Sequence, residues 1–162
     1  IFTLREIQSL KNIEFNENKG ENNTFEIDSK SSKIKKLTLK LNGSNNKITI
    51  NQNSTINISL LHIEGEKNQI HIGSNCKITG NIVLKGNNAS IFIGDYTTFK
   101  KVYLLADESK SIKIGKDCML SSGVMIRTSD SHSIIDLTTG KRKNIAEDVE
   151  IKNHVWIGMN AV

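Results

Sequence analysis

The sequence predicts an all-β fold, a parallel β-solenoid whose coils of about 21 residues each present three short faces. The main observation is a recurring phrase: isoleucine, any residue, isoleucine, glycine. It stands at residues 70–73, 91–94 and 112–115, and again, as Val-Trp-Ile-Gly, at 155–158. The first three copies follow one another at intervals of 21 residues, as expected for one phrase in each coil.

A second observation is the spacing of the apolar residues within each period. Ile72, Ile78 and Leu84 are six residues apart, and Ile93 opens the next period nine residues later. Three such steps per period indicate three flat faces, with these residues pointing inward and the longer step placed at one corner. Neighbouring coils are then expected to pair as parallel strands ~4.8 Å apart.

The residue that follows the inward isoleucine must turn the chain at a corner. We expect a left-handed backbone there, because Gly and Asn tolerate that conformation best. The residues at this position are Asn51, Gly73, Gly94, Gly115 and Gly158.

The composition agrees with a β-rich globular protein. The chain has 162 residues, including 24 Ile, 19 Asn and no Pro. A disordered chain would lack this isoleucine content, and a helical bundle would contain more Ala and Leu. No apolar run approaches the ~20 residues that a membrane-spanning helix requires, so we expect a soluble, cytoplasmic protein with no membrane span.

The formal net charge is +5, and one stretch of the chain is distinctly basic. Residues 29–63 contain six lysines and no acidic residue. Such a stretch is either an ordinary solvated surface or a patch that attracts an anionic polymer. Nucleic-acid binding normally adds aromatic residues for stacking, and none lies near these lysines, so no nucleic-acid partner is predicted.

The two cysteines occupy equivalent positions of the repeat. Cys76 and Cys118 are 42 residues apart, which is two coils or roughly 10 Å. A disulfide needs Cα atoms within about 7 Å, so we expect two buried, reduced thiols. The histidines are spread over several coils, and no metal site is predicted because a zinc site needs three ligands at one level.

The repeat divides the chain into a lead-in or cap at residues 1–26 and a solenoid at residues 27–162. The rule fails once: the inward residue after Ile126 is Ile151, 25 positions on instead of nine. We therefore expect an inserted loop at residues 127–148, and loops held on a rigid scaffold often carry function. The chain stops at Val162 within a repeat, so further coils are expected beyond it.

Trp156 is the second departure from the pattern. It precedes the inward Ile157, so strand alternation points it outward. An exposed tryptophan on a surface otherwise rich in Lys, Asn and Thr indicates contact with a ligand, with the loop or with another subunit.

Taken together, these motifs resemble a known family. The hexad of an aliphatic residue, Gly and a small residue is typical of the hexapeptide-repeat acyltransferases, which fold as left-handed parallel β-helices. Residues 126–136, with His132, and 151–158, with Trp156, resemble the bacterial O-acetyltransferases that modify capsule, lipopolysaccharide and polysialic acid sugars. The resemblance implies acetyl transfer from acetyl-CoA to a glycan hydroxyl by a homotrimer with active sites between subunits.

The resemblance also assigns roles to single residues. His132 matches the family's catalytic histidine, which we expect to act as a general base in direct transfer. Trp156 matches the family's active-site tryptophan near the thioester, and together with Gly158 and Met159 it is expected to contact acetyl-CoA. Arg127 and Ser131 are candidates for contacts with the acceptor, since guanidinium pairs well with a carboxylated sugar. Apart from the resemblance, Asp130 and Asp136 are either candidates to orient the imidazole or simply solvated carboxylates, and the sequence does not choose between the two aspartates.

Two alternative functions stay open at this point. One is another hexapeptide acyltransferase, acting on an amino-sugar nitrogen or a small hydroxyl acceptor. The other is a non-catalytic solenoid that binds a surface. The second would repeat an outward motif on every coil, whereas here the unusual residues cluster at one level, which favours an enzyme.

Overall fold

The computed structural model describes residues 4–162, and their side chains from Glu6 onward. Residues 1–3 of the expected lead-in lie outside the described part. The elements are α1 (Leu4–Gln8), β1 (Ile13–Lys19), β2 (Thr24–Ile27), β3 (Lys33–Asn42), β4 (Lys47–Ile50), β5 (Thr55–Glu64), β6 (Gln69–Ile72), β7 (Lys77–Lys85), β8 (Ser90–Ile93), β9 (Thr98–Ala106), β10 (Ser111–Ile114), β11 (Met119–Arg127), β12 (Val149–Ile151) and β13 (Trp156–Ile157).

All strands pair in parallel, in two sheets that wind around one core. One sheet has the order β2-β4-β6-β8-β10-β12, and its outer surface is called face 1 here. The other has the order β1-β3-β5-β7-β9-β11-β13. Its long strands shift register midway, at Gly80 and Gly123 for example, and bend there into two faces. Face 2 comprises β13 and residues 33–37, 55–59, 77–80, 98–101 and 119–122; face 3 comprises residues 38–42, 60–64, 81–85, 102–106 and 123–127.

The predicted three-faced parallel solenoid is therefore confirmed, while its left-handed sense stays a prediction from the resemblance. The inward isoleucines stack as expected: Ile72 lies in register between Ile50 and Ile93. All three are at most 1% exposed. Burial of each such side chain stabilises the fold by roughly 1.5–3 kcal/mol, so the ladder is the main source of cohesion between coils.

The prediction of a left-handed backbone at the five corner residues is wrong. None of the five corner residues has a positive φ; the left-handed residues come two positions later, for example Asn75 (φ 59°) and Tyr96 (φ 61°). Gly94 is needed because of close stacking. A Cβ there would lie 2.6 Å from the carbonyl carbon of Gly115 in the next coil. Coil-to-coil contact, rather than backbone conformation, excludes a side chain.

Buried polar side chains link each corner to the next coil. The Asn46 side chain donates to the Gly65 carbonyl (3.0 Å) and accepts from the Asn68 backbone N–H (2.8 Å). At another corner the two cysteines make the donor contact to the next coil, and both are free and buried, as predicted. Cys76 Sγ lies 3.2 Å from the Gly94 carbonyl oxygen. Burial raises the pKa of the Cys76 thiol to about 11, so it is a poor nucleophile.

The solenoid begins earlier than the expected boundary at residue 27. β1 pairs with β3 from Ile13 opposite Leu37, and β2 pairs with β4, so the stretch 1–26 contains most of a first coil. α1 packs against β1 and β2 and buries Ile7 completely. Among the described residues, no helix has the length and apolar character needed to cross a membrane.

Candidate active site

The chain leaves the solenoid after β11 and returns at β12, and the loop that carries His132 lies between them. Its two ends are joined, since the Glu147 N–H donates to the Thr128 carbonyl (3.0 Å). Thr128 is itself tied to the previous coil by its N–H, which donates to Leu105 (3.1 Å). The two ends of the loop are therefore held together and anchored to the solenoid.

An ion pair fastens the far side of the loop to the coil below. Arg142 Nη1 and Nη2 each lie 2.7 Å from one carboxylate oxygen of Glu108. Ser129 donates a third hydrogen bond to the same carboxylate (2.7 Å). Hydrogen bonding from Arg142 is the largest influence on the Glu108 carboxyl and lowers its pKa to about 2. The loop is thus held by charge-assisted bonds at neutral pH.

The backbone around His132 is fixed, while its ring is exposed. The His132 N–H donates to Asp130 Oδ1 (3.2 Å). Asn144 Nδ2 donates to both carboxylate oxygens of Asp130 (2.7 and 2.9 Å) and to the His132 carbonyl. Among the residues whose side chains the structure describes, the exposed imidazole makes no hydrogen bond, so both ring nitrogens are accessible to a substrate.

Neither expected orienting carboxylate reaches the imidazole. Asp130 holds the His132 backbone, and the hydrogen bond from that N–H is the largest cause of its lowered pKa. Asp136 pairs with Lys143 (2.9 Å), which is the main reason that its pKa is lowered too. Asp136 also accepts from the Thr138 N–H (2.8 Å) and closes a turn. In this structure both carboxylates shape the loop.

The two candidate acceptor residues lie together beside this loop. Arg127 Nη2 donates to Ser131 Oγ (2.9 Å), which donates to Asp107 (3.1 Å). A groove of about 390 Å³ opens next to them, and its walls include Asp130 and Asn144. The groove is therefore adjacent to the residues that hold the His132 backbone.

Trp156 lies at the opposite end of β11. It pairs with Met119, and both side chains are exposed, by 76% and 57%. They line a groove of about 230 Å³ at the corner between faces 1 and 2, together with Tyr96. The predicted cofactor residues Gly158 and Met159 follow Trp156 directly and are exposed as well.

The structure does not bring His132 and Trp156 together within one chain. The histidine loop starts at Arg127, the last residue of β11, whereas Trp156 pairs with Met119, its first residue. Face 1, formed at this level by β12, separates the two positions. Within the described residues, the histidine loop and Trp156 therefore stand at different corners of the coil.

Sequence reasoning missed several residues of this region. Glu108 and Asp107 lie more than 20 residues before His132, and nothing in the repeat marks them as loop partners. Asn144 was also missed. The loop in addition exposes large apolar side chains, which is unusual for a solvated loop and was visible in the sequence as apolar residues outside the repeat. These are Ile134 (56%), Ile135 (47%), Leu137 (99%) and Ile145 (65%).

No group of three or more His, Cys, Asp or Glu side chains in the described residues is arranged to hold a metal ion. The loop offers the His132 imidazole, and the groove at Trp156 offers an exposed indole beside the His154 imidazole, whose Nδ1 lies 2.8 Å from Asp117 Oδ2. These suit acid–base and acyl-transfer chemistry.

Comparison with known proteins gives close relatives. No protein-family model matches the chain. A polysialic acid O-acetyltransferase from Neisseria meningitidis is 40% identical over 140 residues, 73% of this chain and 65% of the relative. One from Escherichia coli O1:K1 / APEC is 36% identical over 91 residues, 56% of this chain and 29% of the relative. The chain thus spans less than two thirds of the length of either curated relative.

Two solved structures share the fold. The polySia-specific acetyltransferase NeuO superposes with a TM-score of 0.81 at 30% identity, covering 93% of this chain and 68% of that chain. The polysialic acid O-acetyltransferase OatWY superposes with a TM-score of 0.77 at 32% identity, covering 91% and 68%. Both likenesses extend over nearly the whole described solenoid.

Proposed function

The chain belongs to the family of polysialic acid O-acetyltransferases, and from this premise we propose that it transfers acetyl from acetyl-CoA to a hydroxyl of a bacterial surface polysaccharide. The observation that carries the proposal is the arrangement around His132. Its backbone is held by Asp130 and Asn144 while its ring nitrogens are open to a substrate. An acceptor hydroxyl needs such a base, because it is a weak nucleophile at neutral pH.

In the proposed reaction His132 accepts the proton of the sugar hydroxyl as its oxygen attacks the thioester carbonyl carbon. A C–O bond forms, the C–S bond then breaks, and the imidazolium returns its proton to the departing thiolate. No covalent acetyl-enzyme is required, in keeping with the buried thiol of Cys76. The backbone N–H groups of Gly158 and Met159 are candidates to stabilise the oxyanion.

The exposed Trp156 and Met119 form an apolar shelf that suits the acetyl group and pantetheine arm of acetyl-CoA. Arg127, which lines the groove beside the loop, and Ser131, which accepts a hydrogen bond from it, would contact the acceptor. A carboxylated sugar fits this position because guanidinium pairs with carboxylate through two hydrogen bonds. No metal ion takes part in this scheme.

The proposed assembly is a homotrimer. The observation that supports it is the separation of His132 and Trp156 on opposite ends of β11. Three copies around one axis form closed contacts in which each histidine loop meets the tryptophan side of a neighbour. The exposed apolar residues of the loop, such as Leu137, would be covered in this contact. We place the enzyme in the cytoplasm, where acetyl-CoA is available.

The test is thiol release from acetyl-CoA in the presence of polysialic acid, with a neutral glycan as comparison. His132→Ala should reduce glycan-dependent release by at least about 10²-fold, the scale of a lost general base. His71→Ala, on face 1, is the matched control and should retain the parent rate. Full turnover by a folded His132→Ala protein would contradict the base assignment.

A further inference from the structure

Face 2 carries an unusual concentration of positive charge. Its five coil segments and β13 contain no Asp or Glu, and their other outward residues are chiefly Ser, Thr and Asn. Six lysines project from it, and all are exposed. We call them the cationic track: Lys33, Lys35, Lys36, Lys77, Lys100 and Lys101.

On each of the other two faces, some lysines form ion pairs with glutamates. On face 1, Lys47 lies 2.8 Å from Glu26 and Lys113 lies 3.5 Å from Glu150. On face 3, Lys40 lies 3.5 Å from Glu17. By contrast, no lysine of the cationic track forms an ion pair with any residue in the described part of the chain. Its charge is therefore available to an external anion.

The strand register aligns this track with the candidate active site. Lys33 stacks on Thr55, which stacks on Lys77, and the same column continues through Thr98 to Met119. Trp156 is its last member. Five coil steps of ~4.8 Å make the column ~24 Å long, enough for several sugar residues in an extended chain.

A groove lies beside the cationic track in the coils nearer to Trp156. It measures about 290 Å³ and lies at the corner between faces 2 and 3. Lys100, Lys101 and Tyr103 line it, beside polar groups of Thr79 and Asn81. Two cations next to an aromatic ring and hydrogen-bonding side chains suit a carboxylated sugar, whose ring has one apolar surface and many hydroxyls.

We propose that the cationic track binds a linear anionic glycan that runs along the solenoid axis and leads it to Trp156. The inference rests on the proposed function, which it extends from one acceptor hydroxyl to a stretch of polymer. Nucleic acid fits less well, because Tyr103 is the single aromatic side chain lining the groove, whereas single-stranded nucleic acid stacks successive bases on several aromatic side chains.

The experiment compares two triple variants with the same change in net charge. Lys33→Gln/Lys36→Gln/Lys77→Gln removes half of the track. Lys11→Gln/Lys67→Gln/Lys85→Gln removes three exposed lysines outside face 2, none of them ion-paired among the described residues. Both are made in the parent and in His132→Ala, so that binding can be measured without turnover.

We expect the track variant to raise the KM for polysialic acid about fivefold or more, with kcat within about twofold of the parent, since rim charges chiefly affect encounter and binding. Its dissociation constant in the His132→Ala background should rise similarly, and the parent's affinity should fall steeply between low and high salt. The control triple should change neither value by more than about twofold.

An equal loss in the control triple would overturn the proposal, because net charge alone would then explain binding. Equal affinity for a neutral glycan, or tighter binding of double-stranded DNA, would overturn it as well. Track-dependent binding of polysialic acid without transfer by any variant would support the track and contradict the proposed function. Acetyl transfer with a KM that the track variant leaves unchanged would support the proposed function and contradict the track.

Discussion

Arg142 and Glu108 are joined by two parallel hydrogen bonds of 2.7 Å, although 34 residues separate them in the chain. One lies in the loop that carries His132, and the other at a corner of the coil below. Because planar guanidinium and carboxylate groups meet in a fixed geometry, this pair sets the position of the loop relative to the solenoid.

Arg142→Gln should free the loop without unfolding the solenoid. Trypsin should then cut after Lys141 and Lys143 severalfold faster than in the parent, and kcat should fall because His132 is less well positioned. Arg142→Lys should recover part of both properties through a single contact. An unchanged cleavage rate in Arg142→Gln would show that other contacts suffice to hold the loop.

Acid should release the same attachment. The pKa of Glu108 is lowered from 4.5 to about 2, chiefly by hydrogen bonding from Arg142. A lowered pKa stabilises the folded form above the ordinary value, and this contribution is lost as pH falls from about 4.5 towards 2. Pepsin digestion followed by mass spectrometry should show cuts within residues 128–148 appearing in that window.

The charged state of Glu108 can be isolated with Glu108→Gln. Trypsin should cleave the loop of this variant faster than that of the parent at pH near 6. Between pH about 4.5 and 2, pepsin cleavage of the loop should accelerate less in the variant than in the parent. The lowered pKa values of Asp130 and Asp136 leave it some pH dependence. Identical pH profiles for variant and parent would contradict a role for the pair.

Two inactive variants should complement each other if the active site lies between subunits. His132→Ala and Trp156→Ala are each expected to lose most activity. Random mixing in a trimer restores both side chains to about a quarter of the sites. When the two variants are co-expressed with different tags and co-purified, they should therefore recover a substantial part of a quarter of the parent's activity. Recovery no greater than the sum of the separate activities would place both residues in one subunit.

Gly94→Ala should destabilise the protein because the new Cβ would lie 2.6 Å from the Gly115 carbonyl carbon. Overlap with backbone cannot be relieved by a rotamer change, so we expect a loss of about 2 kcal/mol or more. Urea denaturation measures it. Lys113→Ala, an exposed change on the same sheet, should stay within about 0.5 kcal/mol; a comparable loss there would remove the stacking argument.

Cys76 should be unreactive towards a disulfide reagent in the native protein. Burial raises its pKa to about 11, so almost no thiolate is present at pH 8. Both thiols should react rapidly in denaturant. Fast native labelling of Cys76, identified by peptide mapping, would show that its corner opens readily.

The fold was predictable because one physical rule repeats. An inward isoleucine such as Ile72 contacts its equivalents in the neighbouring coils, so spacing alone reports the register. The first coil escaped this reasoning because β1 and β2 lack the repeated phrase and are recognised only through their pairing with β3 and β4. The reason for Gly94 was missed because a single sequence shows the position but not the distance to the next coil.

For the candidate site, the break in the repeat indicated the loop, strand alternation marked Trp156 as an outward side chain, and the role of His132 came from the family resemblance. The sequence did not indicate that Asp136 pairs with Lys143, because local spacing leaves several partners open. Nor did it indicate Glu108, whose contact with Arg142 depends on how a distant corner stacks. Contacts that follow the repeat can be inferred from the chain; contacts that leave it need coordinates.

The short helix α1 affects how whole molecules meet. The first coil of a parallel solenoid has an edge of unpaired backbone N–H and C=O groups, which another strand can extend. α1 lies against β1 and β2 at that end, with Ile7 fully buried. The helix therefore covers apolar core that this coil would otherwise expose, and it hinders edge-to-edge pairing with another molecule at that side.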